Sequence, residues 1–329
     1  MIPCLVHEQN AFDPTFAHTK FVFTIHNPAF KGIIDRYFLN DFYELSDELY
    51  FNGKVRFEGM VSTLKTGIVY SDYVTTVSPT HAKELLTEEG GFGLNGVLAD
   101  KGDRFLGIAN GIDYGEWDPL HDKLIYANYS SSNVTSGKQK CRKRLFDVAG
   151  FEDKGGPVYG LVSRLTYQKG IDLVLSVGRE ICARGGYIYA LGSGEYRLEQ
   201  GLEQLRREYP GNVCIYIGYS GERAHLIYSG ADFFLMPSLF EPCGIGQMIA
   251  ERYGTLPVAR AVGGLCDTID DNKTGFLFKD YDDGGLRYGV MKAEEAYLDK
   301  KRLLSLRRAA MKQDHSWKKA AAMYQKIYR

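Results

Sequence analysis

The chain has 329 residues, of which 44% are hydrophobic and 25% charged, and a formal net charge of -1. That length suffices for two domains with ordinary cores, and the composition is that of a soluble globular protein. The balanced charge excludes a basic nucleic-acid footprint and an acidic tail, and no apolar run reaches the length of a membrane span.

Residues 1–20 show no capped-helix or paired-strand pattern, and Lys20–Ile25 then reads as a buried strand ending in His26-Asn27-Pro28. Gly59–Tyr70 reads as a helix with Met60, Leu64 and Ile68 on one face. Tyr73–Val77 is a second strand, and Ser78-Pro79-Thr80 supplies an N-cap and a first-turn proline for a helix to about Thr87. Phe105–Ile108 is a third strand, ended by Asn110-Gly111-Ile112-Asp113. Three strands are few for a doubly wound domain, so the first domain reads as incomplete.

Residues 114–156 carry little strand pattern. Within them, Lys138–Val148 reads as a basic amphipathic helix with a solvated face, and Gly155-Gly156-Pro157 as a hinge that lets two domains close on substrate. Strands near 158–162, 187–191, 213–217, 233–236 and 256–259 then alternate with helices near 169–184, 195–208, 222–229 and 246–254. That alternation implies a parallel sheet. Leu286–Arg329 reads as helical, with Ser316 capping a last helix whose Ala320, Met323 and Ile327 share a face.

The six cysteines (Cys4, Cys141, Cys182, Cys214, Cys243, Cys266) are scattered, without Cys-x-x-Cys pairs or zinc spacing. Cys182 and Cys214 sit in apolar runs and read as core thiols. Nothing suggests a disulfide framework, so the reduced cytoplasm is the expected compartment, or a plastid in a plant.

Two loops concentrate the chemistry. Arg164 and Lys169 follow the apolar run Val158–Val162 and precede an amphipathic helix, which puts both cations at the carboxyl end of a parallel strand. Open α/β sheets bind ligands at that edge, and a helix N-terminus nearby also favours negative charge. A single Arg or Lys in such a loop is ordinarily a solvated charge. Here a second buried strand, Phe233–Met236, leads to the carboxylate Glu241 at the same edge. Cations for a leaving diphosphate and a carboxylate for sugar hydroxyls are what a nucleotide-sugar transferase requires.

Several segments carry a family resemblance. Ser163-Arg164-Leu165-Thr166-x-Gln168-Lys169-Gly170, Leu191-Gly192-x-Gly194-Glu195 and Pro237-Ser238-x-Phe240-Glu241-Pro242-Cys243-Gly244 resemble the bacterial glycogen synthase and plant starch synthase family. So do Thr24-x-His26-Asn27, Val77-Ser78-Pro79-Thr80, Asn110-Gly111-Ile112-Asp113, Tyr253-Gly254-Thr255-x-Pro257 and Gly263-Gly264-Leu265-x-Asp267-Thr268. Order and spacing match from about Lys20 to the C-terminus.

The resemblance implies an α/β protein of GT-B fold, with two facing Rossmann-like domains of parallel sheet, the N-terminal one incomplete. The expected division is 1–154 on the acceptor side, 155–315 for the nucleotide sugar, and a helix at 316–329 packing back on the first domain. It implies transfer of glucose from ADP-glucose to the non-reducing end of an α-1,4-glucan, with retention, and no metal or other cofactor. The implied catalytic residues are Arg164 and Lys169 on the diphosphate, Glu241 on the glucose hydroxyls, and His26 on the glucose from the other domain. Implied substrate-binding residues are Asn27, Gly192, Gly194, Cys243 and Gly244, with Tyr219 near the adenine. The backbone amides of Gly263, Gly264 and Leu265 would meet phosphate or glucose oxygens. Asp270-Asp271 and Asp282-Asp283 are then loop carboxylates rather than ion ligands.

Three departures accompany the match. The family's N-terminal segment, more than about 100 residues and thus domain-sized, with its donor-contacting Lys-x-Gly-Gly loop, has no counterpart here. Val262 stands where the family has Thr, and Gly246 where it has Thr, Ser or Asn. Two alternatives follow: a remnant that binds nucleotide sugar or glucan but turns over slowly, and a GT-B transferase using another donor such as UDP-glucose. Oligomeric state is not legible.

Overall fold

The computed structural model describes residues 1–328. The chain forms two units, one of Met1–Asn110 with Lys318–Arg329, the other of Gly111–Trp317.

The first unit opens with a helix, α1 (Ile2–Gln9), where the sequence offers no cap; Pro3 sits in its first turn and Cys4 is fully buried. Proline is tolerated there because the first-turn N–H has no helical partner anyway. β1 (Val22–Ile25) follows, then β2 (Ile33–Ile34), α2 (Tyr37–Asp41), α3 (Glu48–Phe51), β3 (Arg56–Phe57) and β4 (Met60–Ser62). β2 and β3 both pair antiparallel with β4. This small sheet overturns the single helix expected from Gly59 to Tyr70. Ser62 is the switch: its backbone is extended, and its Oγ accepts the Lys65 amide at 3.1 Å, so the helix α4 (Thr63–Tyr70) starts only after it. β5 (Tyr73–Thr76), α5 (Pro79–Glu84), α6 (Asn95–Ala99) and β6 (Phe105–Gly107) complete the segment. Ser78 caps α5 as its sequence signal predicts, though that helix ends at Glu84, short of Thr87. The parallel sheet has three strands in the order β1-β5-β6. Ile25, Leu64, Ile68, Val74 and Leu85 form the core beneath it.

The second unit contains α7 (Val134–Ala149), β7 (Val158–Val162), α8 (Ile171–Ala183), β8 (Tyr187–Gly192), α9 (Tyr196–Glu208), β9 (Val213–Ile217) and α10 (Gly221–Gly230). It continues through β10 (Phe233–Met236), α11 (Gly246–Arg252), β11 (Leu256–Arg260), α12 (Gly263–Thr268), β12 (Phe276–Phe278), α13 (Asp283–Leu298) and α14 (Lys300–Met311). Six strands form one parallel sheet in the order β12-β11-β10-β7-β8-β9. Tyr159, Leu161, Ile188, Phe233, Leu235 and Val258 are buried in it, as continuous apolar runs require when helices cover both faces. The strand order reverses between β7 and β10, which is a topological switch point. The edge strand β12 has three residues and no sequence pattern that sets it apart.

α7 corrects two expectations. It packs on α10 and buries Lys138, Cys141, Leu145 and Phe146, so its basic face is not simply solvated. It thereby joins the second unit, and the chain passes between units at residues 110–111 and 317–318 rather than near 154. Gly155-Gly156-Pro157 is consequently not a hinge between them. The Tyr297 hydroxyl donates to the Gly155 carbonyl at 2.9 Å, and Arg142 Nη2 donates to the Gly156 carbonyl at 2.7 Å.

The last helix, α15 (Trp317–Ile327), packs Ala320 and Ile327 against Ile108, Val22, Tyr73 and Leu106 of the first unit. Tyr324, not Met323, joins that face; Met323 is exposed. Ser316 does not cap the helix, since its buried hydroxyl has no partner among the described residues. The helical reading through Arg329 extends to a residue outside those described. Cys214, expected in the core, is half-buried.

Candidate active site

The loop after β7 is held by its neighbours' backbone. Ser163 N donates to Leu191 O at 3.1 Å, Leu165 N to Ser193 O at 2.9 Å, and Glu195 N to Leu165 O at 2.8 Å. Gly192 and Gly194 make this approach possible, because an added Cβ would collide with the carbonyls of Ser163 and Leu165. The Gly194 amide is engaged by Glu199 Oε1 at 2.8 Å. Both glycines thus hold β8 against the Arg164 loop, where ligand contact had been expected.

A short turn, Tyr167–Lys169, leads to Gly170 at φ 69°, a backbone conformation other residues adopt only with strain. A Cβ there would also strike the Pro237 carbonyl. The close approach brings the loops after β7 and β10 together: Leu239 N donates to Gln168 O at 2.9 Å, and Gln168 Nε2 to Phe240 O at 3.1 Å.

Across this junction Lys169 Nζ lies 2.5 Å from Glu241 Oε2, and Ser238 Oγ donates to the same oxygen at 3.0 Å. The side chains are 17% and 6% exposed, so each charge needs the other to offset its lost hydration. Arg164 is exposed and donates to Gln168 Oε1 at 3.3 Å; among the described residues no carboxylate pairs with it. Sequence reasoning assigned Lys169 and Glu241 to different parts of a ligand. The structure makes them direct partners at the switch point.

The turn carrying Glu241 is braced from below. Gly264 N donates to Glu241 O at 3.0 Å and Leu265 N to Val262 O at 3.1 Å. Two of the three amides expected on ligand oxygens are therefore committed to the protein, and Leu265 is fully buried. Gly264 is needed because α12 abuts the Cys243 backbone. Cys243 is buried, and Gln247 donates through Nε2 to Cys243 O at 3.1 Å, Gly244 O at 3.0 Å and Thr268 Oγ1 at 3.0 Å. A Cβ at Gly246 would stand 2.9 Å from the Phe234 ring, which gives that departure a packing cause.

Two further braces were missed. Arg260, at the end of β11, donates to Leu239 O at 2.6 Å and Lys279 O at 3.0 Å. Tyr281 donates to Tyr167 O at 2.9 Å and Asp172 Oδ1 at 3.1 Å, and burial raises its phenol above the usual range. Arg260 was legible as a cation at the carboxyl edge of a strand; Tyr281 had no local signal.

The remaining expected residues lie on other segments. Tyr219 is 93% exposed beyond the edge strand β9. His26 and Asn27 lie in the first unit after β1; His26 is exposed, and Asn27 Oδ1 accepts the Ala29 amide at 3.0 Å in a local turn. The loop carboxylates are tied to protein donors: Asp271 to Lys292 at 2.7 Å, Asp270 to Lys273 at 2.8 Å, Asp282 to the Gly285 amide at 2.7 Å, and Asp283 to Ser176. Among the described residues no group of three His, Cys, Asp or Glu could hold a metal, and no helix is long and apolar enough to cross a membrane.

Residues 1–100 match the family model of the starch synthase catalytic domain, and residues 143–313 that of glycosyl transferases group 1. The chain is 40% identical to glycogen synthase of Bacillus anthracis over 337 residues, 100% of this chain and 70% of that protein. It is 40% identical to glycogen synthase of Thermodesulfovibrio yellowstonii over 315 residues, 95% of this chain but only 63% of that protein. The catalytic domain of starch synthase IV from Arabidopsis thaliana, bound to ADP and acarbose, superposes with a TM-score of 0.92 at 30% identity. That match covers 99% of this chain and 70% of the other.

Proposed function

Because the chain belongs to the glycogen synthase and starch synthase family of GT-B glycosyltransferases, we propose that it transfers glucose from ADP-glucose to the non-reducing end of an α-1,4-glucan, with retention. The observation that carries this reading is the Lys169–Glu241 pair, joined at 2.5 Å where the strand order reverses.

As the bond from glucose to the diphosphate breaks, negative charge grows on the leaving oxygens. Arg164 and Lys169 offset it; at ~4 Å and an effective dielectric near ~20, each cation contributes up to ~4 kcal/mol before desolvation. Glu241 orients the hexose. Its Oε2 is occupied by Lys169 and Ser238, which leaves Oε1 to accept a sugar hydroxyl. The rigid turn beneath it, pinned by Gly264 and Gln247, holds that oxygen in place without reorganisation during the reaction. The ADP and acarbose bound by the Arabidopsis relative support an adenine nucleotide and a saccharide as ligands.

A second reading, a binding protein for nucleotide sugar or glucan with slow turnover, is favoured by the three-stranded parallel sheet of the first unit against six strands in the second. Incubation with ADP-[14C]glucose and glycogen separates the two. Incorporation above a Glu241→Ala control supports the transferase; ADP binding without incorporation supports the second reading.

A further inference from the structure

At the opposite edge of the six-stranded sheet, before β7 and β10, lies a cavity of about 480 Å³. The buried carboxylate Asp232 is among the residues that line it. It accepts the Val158 amide at 3.0 Å, Arg142 Nη1 at 2.8 Å and Arg307 Nη2 at 2.5 Å. Arg142 also grips Asp153 with two bonds of 2.6 Å, which holds that carboxyl below its usual range.

The charges lining this cavity do not balance. Five cations (Lys138, Arg142, Lys143, Lys300 and Arg307) face three carboxylates, Asp147, Asp153 and Asp232. Lys138 is buried against neutral acceptors only, the carbonyls of Tyr228, Ser229 and Tyr253 and the Thr255 hydroxyl at 2.6 Å. Burial lowers its ammonium well below the lysine range, which leaves four cations against three carboxylates. Arg307, with a side chain 8% exposed, keeps an Nε hydrogen without an acceptor among the described residues. Lys143 and Lys300 stand exposed at the rim with no carboxylate partner among the described residues, and the Lys300 ammonium lies 3.7 Å from the Tyr297 ring centre. Phe151 and Tyr297, both half-buried, supply apolar ring surface beside this charge.

Surplus positive charge, a buried guanidinium with unused donor capacity and aromatic surface together suit a phosphate carried on a ring. The volume falls within the usual range for small-molecule sites, about 300–1,000 Å³. We propose that this cavity binds a phosphomonoester of a sugar, either a hexose phosphate or a nucleoside monophosphate, at a site separate from the Lys169–Glu241 pair. Lys143 and Lys300 close on the phosphate from the rim, while the rings cover the sugar.

Isothermal titration of the intact chain with glucose 6-phosphate, AMP and inorganic phosphate tests this, using Lys143→Ala/Lys300→Ala and Lys169→Ala as separate variants. Both rim lysines are exposed and lack carboxylate partners, so the double variant retains the fold. The expected result is binding of at least one sugar phosphate, weakened roughly tenfold or more by the double variant and unchanged by Lys169→Ala. Tighter binding of glucose 6-phosphate or of AMP distinguishes the two sources. Absence of binding to both sugar phosphates overturns the proposal, as does loss only in Lys169→Ala, which would assign the binding to the switch-point site. Inorganic phosphate binding as tightly as the sugar phosphates removes the role of the rings and overturns it as well.

Discussion

Lys169 and Glu241 are 72 residues apart in sequence and 2.5 Å apart in space. If the ammonium stabilises the departing diphosphate, Lys169→Ala lowers turnover about 100-fold or more, since each ~1.4 kcal/mol of lost transition-state stabilisation is tenfold in rate. Incorporation of labelled glucose measures it, with circular dichroism as the check on folding; near-normal turnover in a folded variant removes Lys169 from the mechanism. A different residue adds its own response to pH. Glu251 is fully buried, with His315 Nε2 2.5 Å from one oxygen. Burial outweighs the histidine and raises its carboxyl above the ordinary glutamate value. A raised carboxyl contributes stability that is present below the unfolded value and lost as pH rises through the folded one. Glu251→Gln abolishes that dependence, so the melting temperature of the natural chain should fall relative to the variant as pH rises from 4.5. A difference that stays constant with pH would sink the idea.

Elements matter here through how closely their ends approach. The loops after β7 and β10 touch because Gly170 combines positive φ with a position against Pro237. Gly170→Ala must push those loops apart, at a cost of about 2 kcal/mol or more, and should lower both melting temperature and turnover. Gly96, within α6, has nothing within 4 Å of an added Cβ and no positive φ, so Gly96→Ala should instead raise stability by about 0.5–1 kcal/mol and leave turnover alone. Denaturant melts of the two variants give the contrast; equal effects would refute the account of Gly170. The Ser-Pro-Thr signal of α5 was legible because a cap acts within four residues. The sheet β2-β4-β3 was not, because two-residue strands carry no periodicity and depend on pairing with Val61 and its neighbours.

For the molecule as a whole, the second unit holds the features that the donor reading needs. Adding ADP should slow backbone hydrogen exchange in residues 163–170 and 237–244, the two loops flanking the switch point. Exchange unchanged in both segments would count against donor binding there. The boundary between units shows what a single pattern misses. A glycine pair before a strand resembles a linker, yet Tyr297 and Arg142 hold it from elements more than a hundred residues and fourteen residues away. α7 reads as solvated from its many cations, yet its buried face packs on α10, and its Arg142 meets Asp153 and Asp232.

Strand and helix alternation, the parallel second sheet and the placement of Arg164, Lys169 and Glu241 at strand ends were determined by sequence alone, because those signals are local: apolar runs, caps, and charges just past a strand. Tertiary structure alone decided which of these groups meet. It turned Gly192, Gly194 and Gly264 into points of backbone approach, committed the Gly264 and Leu265 amides to the protein, and joined Lys169 to Glu241. Each outcome depends on the packing distance between segments remote in sequence, and no local pattern encodes that distance.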